Sequence, residues 1–109
     1  GHAIYIDSEG SFMPDRAAQI AQSFVSHIKK MARMNSEPSL QLVADQLSME
    51  SILDTIHFCR VHDWVEQIAA IHNLPTLLDQ YPQIRLVVID SIAFHFRHDF
   101  EDFAARARL

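Results

Sequence analysis

The chain of 109 residues is long enough for one small domain, and its 49% hydrophobic content supplies a packed core rather than a disordered tail. A formal net charge of −5 argues against a dedicated polyanion-binding surface, and no apolar run approaches the roughly 20 residues of a membrane span. No basic-plus-apolar leader opens the chain and the single cysteine, Cys59, allows no internal disulfide, so a soluble protein of a reducing compartment is expected.

Residues 3 to 7, AIYID, are a β-rich run with almost no polar interruption, the pattern of a strand covered on both faces. DSEG supplies turn chemistry, and Pro14 suits the first turn of a helix. From there Ala17, Ile20, Ala21, Phe24, Val25, Ile28, Met31 and Ala32 recur at three- and four-residue steps, which predicts an amphipathic helix to about residue 34. NSEPS, residues 35 to 39, is a surface connection, and residues 40 to 54 carry a weaker helical pattern compatible with two short helices. IHFCRV, residues 56 to 61, reads as a second strand. Asp63 is a good N-cap for a helix that begins at Trp64 and carries Val65, Ile68 and Ala69 inward. Leu74-Pro75 is expected to break or kink that helix, and Tyr81-Pro82 to close it. RLVVID, residues 85 to 90, is the third strand, and a final helix is expected near Glu101. Strand and helix alternate without an internal repeat, which predicts an α/β fold with a mostly parallel sheet and covering helices. A first strand without a lead-in, and a helical pattern running into Leu109, lead us to expect part of something longer.

Two of the strands end in acid: Asp7 and Glu9 follow AIYI, and Asp90 follows LVVI. Parallel strands would bring these acids to one edge, where α/β sheets bind their ligands. An apolar strand ending in Asp is the Walker B pattern, in which the carboxylate holds magnesium, usually through water. Magnesium keeps several waters and needs only one or two carboxylates, so a lone Asp90 suffices. Glu9 is then the candidate to orient and deprotonate an attacking water. The same residues also read as a capping Asp and an ordinary turn, and no GxxxxGK[ST] phosphate cradle occurs in the chain. The residues by themselves leave both readings open.

AIYIDSEGSFMPDR, residues 3 to 16, resembles the segment that follows the P-loop helix in RecA-like recombinase ATPases of eukaryotes and archaea. RLVVIDSIAFHFRHDFEDFAARARL, residues 85 to 109, resembles their Walker B strand and the segment beyond it, in the IAF-x-FRHD version of the C-type recombinase paralogues. The resemblance implies that residues 1–109 are a partial RecA-like ATPase core containing the Walker B region, with the P-loop supplied upstream. It implies Glu9 as the catalytic glutamate and Asp90 as the Walker B aspartate that holds magnesium through water. It implies Arg16 as the arginine that packs its flat guanidinium on the adenine of ATP. Without the resemblance, Arg16 beside Asp15 reads as a salt-bridged first-turn arginine. The implied cofactors are ATP and magnesium, and the implied role is DNA repair by homologous recombination in the nucleus, with the cytoplasm a further location. Implied partners are other recombinase paralogues in a hetero-oligomer, the recombinase filament, and DNA through the whole assembly. The 109 residues without a phosphate cradle are expected to be inactive by themselves. The alternative is a non-catalytic α/β module that works through protein contacts.

The chain departs from the strand-exchange recombinases in two places. Their glycine-containing, arginine-bearing DNA loop is replaced by RHDFEDF, and over residues 97 to 109 three arginines balance three acids, so this segment is not expected to hold DNA directly. Asn35 to Met49 is longer than in the recombinases, consistent with a paralogue-specific insertion. His95 and His98 have H-x-x-H spacing without a third-ligand pattern, so His95 is expected as a partly buried packing residue. Trp64 and Phe94, Phe96, Phe100 and Phe103 are expected to pack in a core or subunit interface rather than to stack on nucleic acid.

Overall fold

The computed structural model describes residues 1–98. In chain order the elements are β1 (His2–Asp7), α1 (Pro14–Asn35), α2 (Pro38–Gln46), α3 (Met49–Leu53), β2 (Ile56–Arg60), α4 (Trp64–Gln80) and β3 (Ile84–Asp90). They divide into two compact units, one of Gly1–Phe12 with the described residues from Ile56 onward, the other Met13–Thr55.

The first unit holds the sheet. Its order is β2-β1-β3 with both pairings parallel, the α/β arrangement expected from the alternating pattern. Strand boundaries fall within one residue of those read from the sequence. Period-two alternation turns Ile4 and Ile6 to one face, where they form the core with Val61 and Ile84. Cys59, Ala70, Leu74, Leu77 and Ile89 pack against that cluster. Cover on both faces was expected of the strands; β1 comes nearest to it, whereas Phe58 on β2 and Leu86 on β3 are 48% and 57% exposed.

Helix α4 departs from expectation twice. Val65 and Ala69 are exposed, and the face turned to the core instead carries Ala70, Leu74 and Leu77, with Gln67 fully buried. The face through Val65 and Ala69 meets His72 and Thr76, while the observed face stays apolar to Leu77, so the observed rotation buries more apolar surface. The helix also runs unbroken through Pro75. Proline removes one N–H, but Leu74 and Leu77 are held in the core on either side, and that packing keeps the turn helical. Asp63 caps the helix as expected, accepting the Glu66 N–H at 2.8 Å, while Glu66 reaches back to the His62 N–H at 2.6 Å and ring Nδ1 at 3.0 Å. The His62 backbone bond, then the ring, hold Glu66 below the usual carboxylate range.

In the second unit Pro14 opens α1 at its first turn, and Ser36 ends it in the left-handed region, its N–H 3.3 Å from the Ala32 carbonyl. Ala21, Val25 and Ala32 are buried, and α1 packs on α2 and α3. Ile20, Phe24 and Met31 from the same apolar set stay exposed. The weak pattern over 40 to 54 resolves into α2 and α3, the latter opened by a reciprocal Ser48–Ser51 capping box. Beyond β3, helical backbone begins at 94 and continues through 98. The helix start expected near Glu101, together with Phe100, Phe103 and the acidic part of RHDFEDF, lies outside the described residues.

Candidate functional site

Asp7 and Asp90 are register partners at the carboxyl ends of β1 and β3. Because the strands are parallel, the loop carrying Glu9 leaves from the edge at which Asp90 ends its strand. The three acids share that edge, but their surroundings differ.

Asp7 faces inward and is buried. Its Oδ1 accepts the N–H groups of Gly10 at 3.0 Å and Ser11 at 3.3 Å, and its Oδ2 accepts that of Phe12 at 3.0 Å. The carboxylate thus ties down the turn that follows it, an Asx-type organisation suited to DSEG. Burial pushes its pKa up, but the Phe12, Gly10 and Ser11 N–H groups and the charge of Arg60 outweigh burial and hold it below the ordinary Asp value. Gly10 sits at φ 78°, and a Cβ there would lie 3.1 Å from Arg60 Nη2. A side chain here is therefore strained by conformation and would need the Arg60 guanidinium to shift slightly.

Glu9 lies between these fixed points, exposed, its side chain without a hydrogen bond among the described residues. Its backbone neighbours are held firmly. Ser8 is completely buried and donates to the carbonyls of Asp90 and Ser91, 2.7 Å from each. Arg60 Nη1 donates to the carbonyls of Asp7 at 3.2 Å, Ser8 at 2.6 Å and Val61 at 2.5 Å. A free carboxylate on a rigid turn is suited to act on a water molecule at this edge.

Asp90 is half-buried. Its Oδ2 accepts the Tyr5 hydroxyl at 2.6 Å and the Ser11 hydroxyl at 3.0 Å, and its Oδ1 lies 3.5 Å from the Ser91 hydroxyl. The hydrogen bond to Asp90, then burial, then the charges of Asp90 and Asp7 push the Tyr5 pKa up to about 12. One oxygen of Asp90 is thus engaged by neutral donors while the other retains acceptor capacity, a donor set that fits a magnesium ion held through water. No group of three or more His, Cys, Asp or Glu among the described residues could cage a metal. Magnesium does not require one, since it favours one or two carboxylates with waters and phosphates.

Arg16 lies exposed in the first turn of α1, in the other unit, and forms no ion pair with Asp15 among the described residues. His95 is buried with its ring Nε2 2.8 Å from the Val61 carbonyl, the packing residue expected, while His98 is exposed. Phe94 packs edge-on to both histidines.

Tyr5, Ser8, Ser11 and Arg60 were not singled out from the sequence, although they build the edge. Arg60 carried a usable signal, being a charge that ends an apolar strand just as Asp90 does. Tyr5 shares the Asp7 face of β1 by period-two alternation, but its partner on β3 depends on register.

The Rad51 family profile matches residues 1–108. The chain is 38% identical over 109 residues to "DNA repair protein RAD51 homolog 3" of Cricetulus griseus, covering 100% of this chain and 30% of that protein. It is 35% identical over 108 residues to the protein of the same name from Dictyostelium discoideum, covering 99% of this chain and 28% of that relative. The chain therefore spans under a third of the length of these relatives. Parallel sheet, acid-bearing edge and a match along nearly all its length agree, and the chain belongs to the Rad51 family, as a RecA-like segment of the C-type paralogue kind.

Proposed function

We propose that this segment supplies the catalytic edge of a RecA-like ATPase, a recombinase paralogue that serves DNA repair by homologous recombination. The observation that carries the reading is the meeting of the Glu9 turn and Asp90 at one carboxyl edge of a parallel sheet. The relatives are named as DNA repair proteins, which supports the cellular role and, with it, work in the nucleus. The phosphate cradle is supplied by another part of the protein. Partners are further paralogues in a hetero-oligomer and the recombinase filament, with DNA held by the assembly.

Magnesium-bound ATP, when present, brings the phosphates and a cation that neutralises charge developing on them. Asp90 would hold that ion through water, Glu9 would orient a water and accept its proton, and Arg16 would offer its flat guanidinium to adenine. The immobilised Asp7 turn supports this chemistry by keeping the Glu9 backbone in one place while its carboxylate remains free.

The test uses the full-length protein. Glu9→Gln should lower hydrolysis roughly 100-fold or more with little change in nucleotide affinity, the size of a general-base contribution. Asp90→Asn should weaken both magnesium-dependent nucleotide binding and hydrolysis. Unchanged turnover in a well-folded Glu9→Gln protein would end the catalytic assignment and favour the assembly module.

A further inference from the structure

The two donors on Asp90 Oδ2 come from opposite ends of one short turn. Tyr5 precedes Asp7 on β1 and pairs in register with Val88, so its hydroxyl reaches along the sheet to Asp90. Ser11 follows the turn, and its own N–H is tied to Asp7 Oδ1 at 3.3 Å. The Tyr5 ring is steadied by Phe12 and Phe58, at centroid distances of 5.0 and 6.4 Å. Both donors converge on Oδ2, and both are neutral.

A carboxylate on a short side chain rotates in a broad, shallow well about its last torsion. Two donors to one oxygen fix the carboxylate plane, and a neutral donor leaves its full negative charge available to a cation. A lysine or arginine in the place of Tyr5 would have neutralised it. We propose that Tyr5 and Ser11 are positioning residues for Asp90, holding Oδ2 within the protein so that Oδ1 is presented to a magnesium-bound water. This rests on the reading of Asp90 as the magnesium-side carboxylate. It adds that the DSEGS turn, besides carrying Glu9, sets the orientation of the acid on the neighbouring strand.

The experiment uses the full-length protein, with manganese as the probe, bound in the presence of a non-hydrolysable ATP analogue and followed by electron paramagnetic resonance. Partners that orient a metal-side ligand are worth about 10- to 100-fold in metal affinity or activity. Tyr5→Phe keeps the ring and removes only the hydroxyl, so manganese affinity should fall about 10-fold. Nucleotide affinity measured in chelator should stay the same. Ser11→Ala should move manganese affinity in the same direction and serves if Tyr5→Phe does not fold. Asp90→Asn should weaken manganese binding, and adding Tyr5→Phe to it should cost nothing further, because the two act through one carboxylate. Folded Tyr5→Phe and Ser11→Ala proteins with manganese affinity within about twofold of the parent would overturn the positioning role. If Asp90→Asn also leaves manganese binding unchanged, the reading of Asp90 falls with it. If Asp90→Asn alone weakens binding, only the roles of Tyr5 and Ser11 fall.

Discussion

The buried hydroxyl of Ser8 shares its single proton between the carbonyl of Ser91, a residue that adopts φ 60°, and that of Asp90, 2.7 Å from each. A serine in the left-handed region is strained, and it persists where neighbouring contacts over-determine it. Ser8 is one such contact, joining the Glu9 turn to the residues after β3 across 83 positions of sequence. Ser8→Ala removes the one donor that two carbonyls share and should lower stability by about 1–3 kcal/mol in chemical denaturation. A loss near zero would mean that water replaces the hydroxyl.

Asp7 gives the edge its acid sensitivity. Its pKa in the folded protein lies below that of the unfolded chain, so the native state favours the ionised form. The stability it contributes is complete above the unfolded value of about 4 and is lost as pH falls through the lower folded value. Asp7→Asn should therefore destabilise the protein at neutral pH by about 2–4 kcal/mol, since three hydrogen bonds to a charged acceptor are weakened. The deficit relative to the parent should shrink below about pH 4. Denaturant midpoints at pH 7 and pH 3 check this, and a deficit independent of pH would exclude the charge as the cause.

Gly10→Ala tests the turn from the other side. Left-handed backbone costs a residue with a side chain about 1–2 kcal/mol. The new methyl would also press on the Arg60 guanidinium, which cannot yield freely while it donates to three carbonyls. The expected loss is about 2 kcal/mol in unfolding free energy. Gly10→Ala combined with Arg60→Ala should lose less than the sum of the two single changes.

Pro75 is a position where replacement should help. It is exposed, sits inside α4, and withholds an N–H from the helical ladder. Proline within a helix is about 3 kcal/mol less favourable than alanine, though the packed helix has already accommodated part of that penalty. Pro75→Ala should raise stability by about 1–2 kcal/mol, read as a higher denaturant midpoint. A lower midpoint would mean that the core at Leu74 and Leu77 requires the proline geometry.

Local pattern alone determined that there are three strands among the described residues, that they alternate with helices, and that AIYID and RLVVID each finish on an acid. Those features are legible because alternation and strand length depend only on near neighbours, and because a charge closing an apolar run stands out. The shared edge of Asp7, Glu9 and Asp90 followed once parallel pairing was inferred from the βα alternation. Tertiary structure decided what each acid touches. Asp7 became the inward lock of its turn, Asp90 acquired Tyr5 across 85 positions, and Arg60 came to sit under Gly10. It also decided the rotation of α4, since Val65 and Ala69 lost the core to Ala70, Leu74 and Leu77. The physical reason is the same in each case. Sequence periodicity tells which residues of one element share a face, whereas the partner across that face is set by strand register and by which helix face buries the most apolar area.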